Sequence, residues 1–255
     1  MNYVGIDIGS TASKVVAQKE GQETCYFVLP TGWNSRETTE KIRQILKEKE
    51  IEVEAADSKV VATGYGRVAV DFADHVITEI TCHARGGREL AGEDCGIIDV
   101  GGQDTKVILV ENGMVKDFIM NDKCSAGTGK FLEVMANRLG ITLEELFDLA
   151  QKGKVAPISS LCTVFAESEV ISYIGEGRSR EDIAAGVVDS VAMKVSQLVG
   201  KKTLPARVIL TGGLSENRYF AQILSEKLNY PVEPTEKGRY AGARGAMLLA
   251  REKSR

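Results

Sequence analysis

Apolar positions recur along the chain at two spacings, and the switches between them mark out its elements. The opening "VGIDIGSTASKVVA" (4–17) runs apolar into Asp7, breaks at Gly9 and Ser10, and leaves Lys14 in β-branched alternation. That pattern predicts two strands joined by a tight turn. "GIIDVGGQDTKVIL" (96–109) lays over it, with Asp7 on Asp99, Gly9 on Gly101, Ser13 on Thr105 and Lys14 on Lys106. After the first hairpin the periodicity predicts a strand at 24–29, a helix at 36–49, a strand at 59–63 and a helix at 79–90. After the second come a strand at 114–120 and helices near 126–139, 143–151, 163–174 and 180–199. Gly140, Gly175 and Gly200 are placed as helix stops, while Thr142 with Glu145 and Ser179 with Asp182 read as capping boxes. "ARVILTGGLSENRYFAQIL" (206–224) reads as strand, glycine turn and a helix capped by Ser215, and a final helix covers about 241–252.

The repeated hairpin has the residue types that phosphate binding requires. Glycine lets a turn backbone approach an anion, and Ser or Thr adds amide and hydroxyl donors. An aspartate at the strand end can hold Mg²⁺, mostly through its waters, and lysine supplies a point charge for phosphate. One such turn is weak evidence, whereas two in matching register are much stronger.

Composition narrows the field further. The chain is 43% hydrophobic and 27% charged, with a formal charge of −4 and a pI near 5.5; with no basic stripe, a nucleic-acid partner is not expected. No signal-peptide pattern and no membrane-spanning apolar run is present, so a cytoplasmic protein is expected. Five cysteines and two histidines form neither a CxxC pair nor a histidine-rich metal site, and Cys25, Cys82 and Cys95 are expected to be ordinary buried thiols.

The other two cysteines stand apart. "NDKCSAGTGKF" (121–131) imitates a phosphate loop, but Cys124 replaces the first glycine of a Walker motif and Phe131 follows the lysine. It reads instead as a cysteine at the start of an amphipathic helix bearing Phe131, Leu132, Met135 and Leu139. "SSLCTVFAESEVISYIG" (159–175) repeats the arrangement, with Cys162 ahead of Val164, Phe165, Val170, Ile171 and Ile174. Helix-start amides would stabilise a thiolate or an anionic iron–sulfur cluster. A four-iron cluster takes four thiolates, which a twofold dimer of such chains would supply.

The two βββαβα-type halves resemble the actin, Hsp70 and sugar-kinase ATPase superfamily. The resemblance implies an α/β protein of two duplicated ribonuclease-H-like lobes with a nucleotide cleft between them. Residues 1–94 plus 241–255 would form lobe I, and 95–240 lobe II with the cysteine helices. "DIGSTASK" (7–14) and "DVGGQDTK" (99–106) look like the two phosphate motifs, and "LTGGLSEN" (210–217) like the adenosine motif. "TEITCHARGG" (78–87) and "YAGARGAMLLA" (240–250) resemble crossing helices between lobes, with small residues for close approach at a hinge. On this basis Asp7, Asp99, Glu79 and Gln103 are the expected catalytic residues. Gly9, Ser10, Thr11, Ser13, Lys14, Gly101, Gly102, Gln103, Gly212, Gly213 and Glu216 are expected to bind ATP or ADP with Mg²⁺.

"NDKCSAGTGKFLE", "SSLCTVFAESEVIS", "ATGYGR" and "TEITCHARG" more closely resemble the activator ATPases of 2-hydroxyacyl-CoA dehydratases and the related subunits of benzoyl-CoA reductase. That family implies a homodimer sharing one [4Fe–4S] cluster held by two cysteines per chain, here Cys124 and Cys162. It implies ATP hydrolysis coupled to passage of an electron from reduced ferredoxin or flavodoxin to a dehydratase-like partner. Glu167 is a candidate link between nucleotide and cluster. A small-molecule kinase of amino-sugar type, or a non-redox ATP-binding regulator, are the alternatives on the same fold.

Overall fold

A computed structural model describes residues 1–159, 162–200 and 202–254. Ser160 and Leu161, inside the second cysteine segment, together with Lys201 and Arg255, lie outside the described residues. The elements in chain order are β1 (Asn2–Ile8), β2 (Ala12–Lys19), β3 (Cys25–Pro30), α1 (Ser35–Glu48), β4 (Ser58–Thr63), β5 (His75–Val76) and α2 (Glu79–Ala91). They continue with β6 (Gly96–Val100), β7 (Thr105–Glu111), β8 (Met114–Asn121), α3 (Gly129–Leu139), α4 (Leu143–Ala150), α5 (Thr163–Gly175) and α6 (Arg180–Val199). The last three are β9 (Val208–Gly212), α7 (Arg218–Leu228) and α8 (Ala241–Lys253).

The chain divides into two compact units, one of residues 1–97, 108–118 and 235–255, the other of 98–107 and 119–234. In the first unit the strand order is β3-β2-β1-β4-β5. β1 and β2 pair antiparallel, with Asp7 opposite Lys14, and β4 joins β1 in parallel. Ile42 and Leu46 of α1 pack with Val4, Ile6, Ile8, Val15 and Val60 on one face. Ala243, Met247 and Leu248 of α8 pack with Val16 on the other face, where Val61, Cys82 and Ala246 also cluster. Burial on both faces explains why β1 and β4 read as continuous apolar runs rather than alternating ones.

Small residues let α8 cross α2 closely. A Cβ on Gly86 would lie 1.9 Å from the Ala241 carbonyl oxygen, and one on Gly245 would lie 1.8 Å from that of Cys82. The expectation of close helix crossing at 78–87 and 240–250 is met in this detail.

The second sheet runs β8-β7-β6-β9, and Glu233 bridges Ile209 in parallel at its outer edge. Its order therefore repeats the first sheet position by position, as the duplicated sequence predicts. In the second unit α6 is buried along much of its length, through Ile183, Val187, Val191 and Val195. Among the described residues no helix is long and apolar enough to cross a membrane.

Several boundaries differ from expectation. α3 begins at Gly129, because residues 125–128 form a separate turn in which the Thr128 amide donates to the Ser125 carbonyl at 3.1 Å. α7 is capped by Asn217 rather than Ser215, its Oδ1 accepting from the Phe220 amide at 2.8 Å. Gly175 closes α5 as its last helical residue, and the left-handed turn falls at Gly177 (φ +75°). Thr142 and Glu145 form the full reciprocal box, while Ser179 caps α6 by accepting from the Asp182 amide.

Candidate functional site

The first hairpin brings Asp7 to the buried end of β1, 2% exposed. Its Oδ2 lies 3.6 Å from Lys14 Nζ, and its buried Oδ1 has no hydrogen-bond partner. The Thr31 hydroxyl donates to the Gly9 carbonyl at 2.7 Å and lies 2.8 Å from Ser13 Oγ, so the hydroxyl of Ser13 braces the turn. Ser10 and Thr11 stand exposed at its tip. A buried carboxylate oxygen without a partner is costly, and it fits a hard, hydrated cation such as Mg²⁺.

Three residues around Asp7 escaped the sequence reading of the site. Gly64 has φ +86°, and a Cβ there would sit 2.4 Å from Asp7 Oδ1 and 2.6 Å from the Ile8 carbonyl oxygen. A Cβ on Gly242 would meet His83 Cε1 at 2.7 Å and Asp7 Oδ2 at 2.9 Å, so His83 and Asp7 converge over the start of α8. The signals were present, in "TGYG" directly after a strand and in a histidine one helical turn beyond Glu79. Glu79 itself is the first residue of α2, half-buried, with its backbone carbonyl 3.1 Å from His83 Nδ1. Burial pushes the neighbouring Cys82 thiol up to about 12, and the charges of Asp7 and Glu79 add to the rise.

The second hairpin is built differently. Asp99, 3% exposed, accepts from the Thr211 hydroxyl through Oδ1 at 2.8 Å, and its Oδ2 lies 3.4 Å from Lys106 Nζ. Lys106 also pairs with Asp104 Oδ1 at 2.8 Å. The Gly213 amide donates to the Val100 carbonyl at 3.1 Å, and Gly212 adopts φ +83°. The 101–103 turn and the Gly212–Gly213 turn are thereby brought to one end of the sheet, with Gln103, Gly213 and Glu216 exposed there.

From this turn the structure leads to the cysteines. The first amides of α3, Gly129 and Lys130, donate to the carbonyls of Gly101 and Gly102 at 2.9 and 2.8 Å. Cys124 therefore does not stand at the start of a helix as expected, since α3 begins only at Gly129. It lies in the turn before α3, its carbonyl accepting from Asn121 Nδ2 at 2.8 Å. Cys162 does occupy the N-cap position of α5. Both cysteines are exposed, whereas Cys82 and Cys95 are buried and Cys25 is half-buried.

The residue following each cysteine joins the two segments, Ser125 Oγ lying 2.8 Å from Thr163 Oγ1. Arg138 of α3 pairs with Glu167 of α5, which ties the two helices together. Only Ala166 and Val170 of α5 are buried; Val164, Phe165, Ile171 and Ile174 face outward. Among the described residues no group of three or more His, Cys, Asp or Glu could hold a metal ion.

Comparison with known proteins identifies the family. The model of the BadF/BadG/BcrA/BcrD ATPase family matches residues 4–250. The chain belongs to this family. It is an ATPase with the two-hairpin α/β architecture of the actin-like ATPases. The activator of lactoyl-CoA dehydratase from Anaerotignum propionicum is 42% identical to it over 99% of this chain and 98% of its own. The crystal structure of Acidaminococcus fermentans (R)-2-hydroxyglutaryl-CoA dehydratase component A superposes with a TM-score of 0.92 at 40% identity, covering 100% of this chain and 99% of the other. The Clostridium difficile activator of 2-hydroxyisocaproyl-CoA dehydratase, solved with bound ADPNP, gives 0.89 at 38% identity over 100% and 97%.

Proposed function

We propose that the protein is an ATP-dependent electron-transfer activator that delivers a low-potential electron to a 2-hydroxyacyl-CoA dehydratase-type partner. The observation that carries this reading is the Ser125–Thr163 hydrogen bond, which sets two exposed cysteines in adjoining segments. Two such thiols per chain are too few for a four-iron cluster and suffice when a second copy contributes two more. The outward apolar side chains of α5, Val164 and Phe165 at 64% and 65% exposure, support that second copy, since a surface of this kind favours burial.

Cys124 and Cys162 would hold the [4Fe–4S] cluster. When bound, the cluster supplies a one-electron carrier, charged from reduced ferredoxin or flavodoxin. Lys14, Ser10, Thr11 and the 101–103 turn bind the ATP phosphates, with Ser13 supporting the first turn. Gly212, Gly213 and Glu216 lie along the adenosine. Between them Asp7 and Asp99 serve hydrated Mg²⁺ and the attacking water, with Glu79 and Gln103 orienting that water. The lobes in this reading are 1–94 with 241–255, and 95–240. Linkage requires each site to favour one of two conformations, and the Gly129 and Lys130 bonds to the 101–102 turn supply a route within the second unit.

Protein purified without oxygen is expected to be brown and dimeric, with about one four-iron cluster per two chains. Colour and iron should disappear in Cys124→Ser and in Cys162→Ser. A colourless monomer whose ADP release is stimulated by sugars would overturn the reading in favour of a kinase.

A further inference from the structure

The two hairpins align residue for residue, yet their carboxylates meet different surroundings. Lys106 is 1% exposed, and it stands among the largest fully buried side chains of the described residues. A buried ammonium persists where opposite charge meets it closely, and here Asp104 lies at 2.8 Å and Asp99 at 3.4 Å. The remaining oxygen of Asp99 accepts from Thr211 at 2.8 Å. In the first hairpin the residue aligned with Asp104 is Ala12, so no second carboxylate competes for Lys14. Lys14 remains partly exposed, 23% by side chain, and 3.6 Å from Asp7. One Asp7 oxygen has no partner although the residue is buried.

We infer that Lys106 is a positioning residue which, together with Asp104, fixes Asp99 as an internal anion and withdraws it from metal binding, leaving Asp7 as the carboxylate that carries Mg²⁺. This rests on the nucleotide reading above and assigns within it what the repeat alone leaves equal. The difference comes from one position, Asp104 against Ala12. In the second hairpin two acids share one buried lysine, and in the first a single acid faces a lysine that can also reach a phosphate.

The test is a titration of Mn²⁺, as a stand-in for Mg²⁺, into ADP-saturated protein, with free Mn²⁺ read by EPR. Asp7→Asn is expected to weaken Mn²⁺ binding by about tenfold or more, while Asp99→Asn leaves the midpoint close to wild type. Lys106→Met should release Asp99 and Asp104 as an acidic pair and add a second Mn²⁺ equivalent, which a purely structural lysine would not do. Should Lys106→Met fail to fold, the contrast between the two aspartate variants still decides the matter. Equal losses in Asp7→Asn and Asp99→Asn, with ADP binding intact, would overturn the division of roles and leave the proposed function standing. Wild-type protein that bound no ADP would overturn both.

Discussion

Gly64 offers a quantitative test of how the first hairpin is held. Gly64→Ala places a methyl group in a left-handed backbone, φ +86°, at about 1–2 kcal/mol for an L-residue. The same Cβ would lie 2.4 Å from Asp7 Oδ1 and 2.6 Å from the Ile8 carbonyl. Ordinary C···O contact begins near ~3.3 Å, so strand β1 or the Asp7 side chain must move by roughly 0.8 Å. Overpacking against backbone costs about 1–3 kcal/mol beyond the backbone term. Gly32→Ala isolates that second term, because Gly32 also has positive φ (+65°) but a Cβ there would meet nothing within 4 Å. Urea unfolding of the two variants should therefore differ by about 1–3 kcal/mol, Gly64→Ala being the less stable. Displacing Asp7 should also lower the ATPase kcat, by as much as about a hundredfold for a shift near 1 Å. Equal destabilisation, with ATPase activity unchanged in both variants, would refute the account of Gly64 as the residue that makes room for Asp7.

Two further predictions follow from side-chain environments. In cluster-free folded protein, iodoacetamide at neutral pH should label the exposed Cys124 and Cys162 and spare Cys82, whose buried thiol titrates at about 12; mass spectrometry showing Cys82 labelled as fast as Cys124 would refute this. The Arg88 guanidinium beside Asp94 holds its carboxyl below the usual carboxylate range, assisted by the Gly113 amide. A depressed folded-state value stabilises the fold above the unfolded pKa and is lost as pH falls through the folded one. Asp94→Asn should thus destabilise at neutral pH, and its unfolding curve should converge with wild type in acid; a gap that widened in acid would contradict the sign.

Much of the fold was legible because the relevant signals are local. The duplicated hairpins, the apolar runs of β1 and β4, and the glycine turn at Gly212–Gly213 each follow from neighbours in sequence. The start of α3 falls at Gly129 rather than near 126 because "SAGTG" is glycine-rich and favours a turn, and the Ser125–Thr128 turn and the 101–102 carbonyls decide where helical bonding starts. Asn217 took the cap from Ser215 for a similar reason, since cap choice depends on which side chain reaches the third amide.

The sequence alone determined the repeat, the residue types in its turns and the two unusual cysteines, because turn geometry and strand alternation act over a few residues. Only the tertiary structure decided what surrounds each group. It placed Gly64 and His83 at Asp7, enclosed Lys106 between two acids, and joined the cysteine segments through Ser125 and Thr163. Those relations link residues far apart in the chain, so they are fixed by packing and burial, to which local pattern is blind.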